Sequence, residues 1–457
     1  MRKLNYNITT EKKMKRLLVF GVVLLACTST WAQTLEECQR AAEQNYPLIR
    51  QYDLIEKTTE LTVANIQKGW LPQIAASAQA TYQSDVMSWP EQMGTMIKGM
   101  GIDLKGLKKD QYKVGIDVQQ TLFDGGAISS QKAIVRGQSR VQTAQNEVNL
   151  YNIRKRVNEM YFALLMLDHH IRLNTDLQDL LASNEKKLAS MVKGGTAALS
   201  DLQSVKAERL NAVQKAAELE SQKHMLQAML TAFCGIEVKN PTKPALDDGL
   251  GAAPAASTGE SGAASFASMG ESGAALRPEM HLFDAQLKLI DAQEQALDAA
   301  LKPKLGLFAQ GYYGYPGFNM FDDMLNHNWS LNAMVGARVT WNIGALYTRK
   351  NDKAKMELQR QQTESNREVF LFNNRLEQIQ QNESISRYRR LMADDEEIIS
   401  LRSAVRKAAE SKLSHGIIDV VGLVREINQE NAARVQQSMH EIEMLKQIYD
   451  NKFTTNR

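Results

Sequence analysis

Residues 331–342 read LNAMVGARVTWN, and this stretch decides the fold because apolar and polar side chains alternate along it. A period of two predicts a β-strand that is apolar on one face and polar on the other. Three other segments share the pattern, so that the predicted strands are 71–83, 111–124, 303–315 and 331–343. Strands of this length and pattern, with Tyr or Trp near their ends, are typical of a membrane barrel with a wet interior. The alternative is a half-exposed sheet on a soluble domain.

The polar faces of the four strands are predicted to line a water-filled lumen. The lumen residues are Ser77, Gln79, Lys113, Asp117, Asn332, Arg338 and Thr340. Four strands cannot close a barrel by themselves, because the smallest barrels have about eight strands. Open edges cannot face lipid either, since their backbone groups would lack hydrogen-bond partners. Several chains must therefore share one barrel.

The chain contains a tandem duplication. Three pairs of segments correspond in order: Trp70–Ile74 with Leu301–Leu305, Thr121–Gly125 with Thr340–Gly344, and Lys193–Gly195 with Ser414–Gly416. The first repeat is 33–235 and the second is 277–457. An Ala/Gly/Ser-rich segment, 236–276, lies between them and is interpreted as a flexible linker.

Each repeat is predicted to contain a long coiled-coil helical hairpin. In the first, apolar residues step by four and three in a coiled-coil seam: Ile153, Val157, Met160, Leu164, Leu167 and Ile171. The second seam is less regular: Phe372, Leu376, Ile379, Ile385, Tyr388, Met392 and Ile399. Helices ending near Gly195 and Gly416 would each span on the order of 100 Å. The chain is predicted to turn back at these glycines, farthest from the strands.

The N-terminus, 1–32, is predicted to be a secretory signal peptide, with 1–13 as an upstream extension. A basic start precedes the apolar run Leu17–Ala26, and the small residue Ala32 precedes the expected cleavage site. The run is too short to span a membrane as a helix. An alternative is lipidation at Cys27, because Leu24–Cys27 resembles a lipoprotein cleavage box.

Cleavage after Ala32 would leave two cysteines, Cys38 and Cys234. Two thiols in an exported chain could pair. The sequence-based expectation is that they lie apart as small buried groups.

No catalytic residues, cofactor or metal site are expected, since the sequence contains no phosphate loop, HExxH zinc helix or CxxC pair. The net charge of +3 gives no argument for a nucleic-acid partner.

The acidic run Asp394–Glu397 is predicted to be solvated on a helix surface. Methionines in the strand-connecting loops leave two interpretations open, loop packing or a soft Cu(I) site: Met87, Met93, Met96, Met100, Met320 and Met324.

The ordered set of short motifs resembles the TolC-type outer-membrane efflux protein family. LPQI and KPKL lead into strands, LFDGG follows one, and LRPE at Leu276–Glu279 begins the second repeat. The resemblance extends over 33–452. It implies a mainly α fold with membrane β: a homotrimer whose twelve-stranded barrel in the outer membrane is continued by a periplasmic α-helical barrel. It also implies a channel subunit, and no enzyme, working with a periplasmic adaptor protein and an inner-membrane pump.

The same resemblance implies a periplasmic gate and adaptor-docking end at the hairpin turns. The residues carried over are Gly194, Gly195, Asp201, Gly416 and Asp419. The second repeat departs from the family pattern, with Leu413, Ile418, Gly422 and Arg425 at the positions of the family's gate network. The alternative for both aspartates is an ordinary carboxylate at a helix N-terminus. The alternative functions are the outer component of a type I protein secretion system and a structural coiled-coil envelope protein.

Overall fold

A computed structural model of the chain describes residues 34–90, 93, 106–239, 241–244 and 276–456. The predicted signal peptide 1–32, Cys27 and most of the linker 236–276 lie outside the described residues.

In the part of the chain that the structure describes, long helices come before and after each of two pairs of strands, and a short helix lies between the strands of the second pair. The elements are α1 Leu35–Asn45, α2 Arg50–Gln67, β1 Gln73–Tyr82, β2 Asp110–Phe123, α3 Ala127–Lys193, α4 Leu199–Cys234, α5 Pro278–Ala300, β3 Lys304–Tyr315, α6 Met320–Asn326, β4 Ser330–Thr340, α7 Ala345–Ser414 and α8 Val420–Thr455. The predicted fold class, mainly α with four strands, is confirmed. Within the described ranges, no helix has both the length and the apolar character needed to cross a bilayer.

The chain divides into two units. The sheet unit consists of the described residues within Arg50–Asn149 and Ala275–Asn373, and the described residues within Met1–Ile49, Leu150–Ala274 and Asn374–Arg457 form the hairpin unit. Helices α3 and α7 contribute residues to both.

In the sheet unit, the four strands form one antiparallel sheet with the order β1-β2-β3-β4. The registers place the predicted apolar residues in shared rows: Ala78 pairs with Val114, Val114 with Tyr313, and Tyr313 with Leu331. The sheet therefore keeps a single apolar face across all four strands, because each strand is aligned in the same phase.

The hairpin unit is built around an apolar core where α1 packs on α3, α4 and α8. Ile153, Val157 and Leu164 of the first predicted seam are at most 3% exposed in this core. Burial of a side chain of this size stabilises a fold by about 1.5–3 kcal/mol. The coiled-coil pattern of α3 thus identified the residues that hold the hairpin together.

A second apolar cluster of the hairpin unit lies next to the two hairpin turns. It joins residues of both hairpins: Leu181, Leu188, Val205, Ala212, Ala409, Val420, Leu423 and Ile427.

The second predicted seam is buried in one part and exposed in another. Ile385 is buried, whereas Phe372, Leu376 and Ile379 are each at least half exposed.

The prediction that Asp394–Glu397 is a solvated run is wrong for one of its residues. Asp395 is buried and its Oδ2 lies 2.8 Å from Nδ1 of His440 on α8. The run covers more than one turn of α7, so one carboxylate faces inward while Asp394 and Glu397 remain exposed. The local sequence around Asp395 gives no sign that this residue contacts His440.

One half-buried carboxylate of the hairpin unit has an incomplete set of partners. Oδ1 of Asp450 on α8 makes no hydrogen bond with the described residues. Burial raises the pKa of Asp450 to about 6, although the charges of Lys446 and Lys155 oppose the shift. Because the pKa in the folded state exceeds the ordinary value of 3.8, the protonated form stabilises the fold at low pH. That stability is lost as the pH rises through 6.

We predict that Asp450→Asn, which keeps the shape and removes the charge, stabilises the protein at neutral pH. The expected gain in the free energy of unfolding is up to roughly 3 kcal/mol at pH 7.5, and roughly 1 kcal/mol at pH 4.5. Chemical denaturation of the purified protein at the two pH values measures both gains. An equal effect at the two pH values would show that the carboxylate is not the destabilising group.

Candidate functional site

The apolar face of the sheet is uncovered in the single chain. Leu331, Val335 and Val339 on β4 are 81%, 80% and 68% exposed, and Ile74 on β1 is similarly open. Soluble proteins rarely expose large continuous apolar patches unless the patch contacts a partner or a membrane. The face is therefore suited to contact with an apolar medium.

Aromatic side chains flank the apolar face at both ends of the strands. At one end, the Trp329 ring lies 6.1 Å from that of Tyr112 and 5.5 Å from that of Tyr313. At the other end, the indole N–H of Trp341 donates to the carbonyl oxygen of Leu301 at 2.9 Å. The extended chain from Trp329 to Trp341 covers roughly 40 Å, which a strand tilt of about 40° would reduce to roughly 30 Å. Aromatic girdles separated by such a band are characteristic of membrane barrels.

The opposite face of the sheet carries charges together with two aromatic rings. The Lys113 ammonium lies 5.1 Å from the ring centre of Tyr312, and the Arg338 guanidinium lies 5.0 Å from that of Phe308. Cations placed over aromatic faces at this distance are attracted by the ring quadrupole. The two basic side chains are thereby held along the sheet surface.

The predicted lumen residues share this second face, since the register aligns Ser77 with Gly115, Gly115 with Tyr312, and Tyr312 with Asn332. Their surroundings differ. Ser77, Gln79, Arg338 and Thr340 are exposed, and Lys113 and Asp117 are half-buried.

Asn332 is the one predicted lumen residue that is buried. Its Oδ1 accepts the backbone N–H of Phe318 at 2.7 Å, and its Nδ2 donates to Ser330 Oγ at 3.0 Å. Nearby, the N–H of Gly317 donates to Asp323 Oδ2 at 2.6 Å. Asn332 therefore anchors the loop between β3 and β4 and is fixed in place by it.

The two hairpin turns have the same backbone hydrogen bonds. In the first, N–H groups of Gly195 and Thr196 donate to Val192 and Met191; in the second, those of Gly416 and Ile417 donate to Leu413 and Lys412. Gly195 and Gly416 have φ values of +73° and +71°, and both are fully open to their surroundings. This is the Schellman motif, in which glycine is favoured because it adopts positive φ without a steric penalty.

Each predicted gate aspartate caps the helix that follows its turn. Asp201 Oδ2 accepts the backbone N–H of Ala198 at 3.3 Å, and Asp419 Oδ1 accepts that of Gly422 at 2.8 Å. Such contacts satisfy backbone groups that the first helical turn leaves open. Both carboxylates have this local structural role in the single chain, and their role in a gate stays a prediction.

The methionines do not form one site within the described residues. Met87, Met93 and Met320 are exposed, Met324 is buried beside the β3–β4 loop, and Met96 and Met100 lie outside the described ranges. Among the described residues, no group of three or more His, Cys, Asp or Glu side chains is arranged to hold a metal ion.

Residues 39–235 match the family model described as "Outer membrane efflux protein". The resemblance to the TolC-type efflux family is confirmed. The matched residues cover nearly all of the first repeat, from α1 to the end of α4. No curated protein matches the chain in sequence.

Solved structures with the TolC-type fold match most of the chain. The outer-membrane channel OprN has a TM-score of 0.64 at 12% identity, over 92% of this chain and 89% of that one. The outer membrane protein VceC from Vibrio cholerae has a TM-score of 0.64 at 10% identity, over 92% and 95%. The Campylobacter jejuni CmeC outer membrane channel has a TM-score of 0.62 at 12% identity, over 92% and 85%. At these identities, the likeness establishes the fold.

Sequence reasoning missed the structural roles of several site residues. The burial of Asn332 depends on the path of the β3–β4 loop, which no local pattern encodes. The rings of Phe308 and Tyr312 on the polar face were also missed, because glycines occupy several neighbouring positions of β3 and obscure its alternation. The available signal was a basic residue on the adjoining strand, two positions from the glycine that pairs with each ring residue.

We predict that the two faces of the sheet differ in access to water. Cysteines introduced by Ser77→Cys and Thr340→Cys should react with a membrane-impermeant thiol reagent, because their positions belong to the polar face. Ala78→Cys and Val339→Cys are matched controls, one residue away on the apolar face, and should remain unlabelled in membranes. Labelling by mass spectrometry measures the difference, and the reverse pattern would show that the faces are exchanged.

Proposed function

We propose that the chain is a channel subunit of a tripartite efflux system. It passively conducts substrates, which an inner-membrane pump and a periplasmic adaptor protein deliver, across the periplasm and the outer membrane. The observation that carries this proposal is the sheet with one exposed apolar face, flanked by Tyr112, Trp329 and Trp341, and one charged face. A lipid-facing exterior and a wet interior require this combination.

The sheet edges support assembly from several copies. Strands β1 and β4 are the outer strands, and each has one neighbour within the described chain. Because the four strands alternate in direction, β4 of one copy can pair antiparallel with β1 of the next in the same sense around a ring. Repetition of this pairing removes every edge, which lipid requires. Three copies would give the proposed twelve-stranded barrel.

An uncovered helical seam supports the same assembly. Val369, Phe372, Leu376 and Ile379 on α7 are spaced by three, four and three residues, and each is at least half exposed. This is the spacing by which one helix packs into another. A neighbouring copy in the proposed homotrimer would cover the seam.

The hairpin turns are the proposed periplasmic mouth and adaptor contact, at 190–203 and 411–424. Small residues at Gly194, Gly195 and Gly416 let another helical end approach closely. Leu199, Ile417 and Val421 expose large apolar side chains beside the turns. Exposed apolar groups next to an open glycine turn provide a surface that a partner can bury.

We predict that Gly195→Pro and Gly416→Pro abolish export and leave the assembled barrel intact. Proline fixes φ near −65°, whereas both positions need φ above +70°, and the substitution also removes the N–H that closes the turn. Gly194→Ala is the matched control, because alanine keeps this position small and its Cβ would make only ordinary contacts at 3.6 Å within the chain. Substrate accumulation in cells measures export, and crosslinking in membranes measures assembly. Full export by both proline variants would contradict docking at the turns.

We predict that the purified protein is a trimer that forms pores. Mass measurement in mild detergent should give three chains, and planar bilayers should show discrete steps of ionic current. A stable, lipid-embedded monomer would contradict the edge-pairing argument. A detergent-independent soluble rod without conductance would favour the structural coiled-coil protein instead.

A further inference from the structure

Two cysteines that are far apart in sequence lie together in the hairpin unit. Cys38 on α1 and Cys234 at the end of α4 are 0% and 2% exposed and belong to the same apolar cluster. The thiol of Cys234 donates to the carbonyl oxygen of Cys38 at 3.4 Å. The sequence-based expectation that these thiols lie apart is therefore wrong, although both are buried as expected.

The neighbouring cysteine also affects the titration of Cys38. The Cys234 side chain, as a hydrogen-bond partner, raises the pKa of Cys38 above its ordinary value, and burial is the second cause of the shift. The contact of Cys234 Sγ with the Cys38 carbonyl oxygen and the shared apolar cluster place the two cysteine residues side by side.

Contacts around the cysteines hold their two segments in one arrangement. Asn45 Nδ2 donates to the carbonyl oxygens of Ala232 and Phe233 at 3.3 and 3.2 Å. The rings of Tyr46 and Phe233 stack with centres 6.0 Å apart. At Gly235, an added Cβ would lie 2.6 Å from Asn45 Cγ, so the Asn45 side chain packs directly on the Gly235 backbone. The end of α1 is therefore fixed against the end of α4 just beyond the two thiols.

We propose that Cys38 and Cys234 are joined by a disulfide in the exported protein. This inference rests on the proposed function, because the periplasm is oxidising whereas the cytosol keeps thiols reduced. With the signal peptide cleaved after Ala32, these are the remaining cysteines of the chain. A single pairing within one chain is then available.

The reaction needs an oxidant, which is the disulfide of a periplasmic thiol–disulfide oxidoreductase. One cysteine thiolate attacks that disulfide and forms a mixed disulfide, releasing one thiolate of the oxidant. The second cysteine thiolate then attacks the mixed disulfide, forms the Cys38–Cys234 bond and releases the other thiolate. The two protons lost by the cysteines are balanced by the two taken up by the reduced oxidoreductase.

Oxidation must occur before α1 closes on α4, because the oxidant cannot reach sulfur atoms that are at most 2% exposed. The bond would join positions separated by 196 residues. A crosslink over so long a segment restricts the unfolded chain strongly. It would fasten α1 to the hairpin as the chain folds.

Counting thiols in the mature protein tests the proposal. Protein purified from the outer-membrane fraction is denatured, without reductant, in a maleimide that carries a polyethylene glycol chain, and is compared with a reduced sample. We expect no additions before reduction and two after it, with no disulfide-linked dimer on a non-reducing gel. Cys38→Ser should leave one thiol that reacts in both samples. Two additions without reduction, or a linked dimer, would overturn the proposal.

Two controls separate the disulfide from the proposed function. Cys27→Ala removes any contribution from an uncleaved or lipidated N-terminus and should leave the count unchanged. Reduction should lower the midpoint of thermal unfolding of the wild type and leave that of the Cys38→Ser, Cys234→Ser double variant unchanged. Free thiols in correctly inserted, conducting protein would overturn the disulfide alone. A chain that remains in the cytosol with free thiols would overturn both.

Discussion

The constraint on which the rest of the structure depends is the hydrogen bonding of the backbone at the sheet edges. A sheet with an exposed apolar face is suited to lipid, and lipid offers no partner for an unpaired N–H or C=O group. Strands β1 and β4 each have one side without a strand in the described chain. The need for further copies follows from pairing these two edges, and a neighbouring copy would also cover the α7 seam.

Local periodicity was sufficient to predict the fold class and the faces of the sheet. The alternation at residues 331–342 is strong because few glycines interrupt it, and the seam at Ile153, Val157 and Leu164 carries the same information for α3. Both patterns report which side of an element is apolar. They do not report what covers that side, which is why Phe372 and Leu376 were assigned to a seam and are exposed in the single chain.

Contacts between distant segments could not be predicted from the sequence. Asp395 is buried because His440 lies opposite it, and Asn332 is buried because the β3–β4 loop folds over it. The same reason explains the error at Cys38 and Cys234, whose proximity depends on how α1 docks on α4. Composition gives the average environment of a residue type, whereas these positions are determined by individual tertiary neighbours.

The identical backbone of the two turns has an evolutionary consequence. One glycine at positive φ specifies each turn, and the side chains around it are not needed to form the motif. Neighbouring positions accordingly differ, with Thr196 in one turn and Ile417 in the other. Under the predicted tandem duplication, the two turns would keep the same backbone while their surfaces change independently. A mutation that alters the surface of one turn would therefore leave the surface of the other turn, and its contacts with a partner, unchanged.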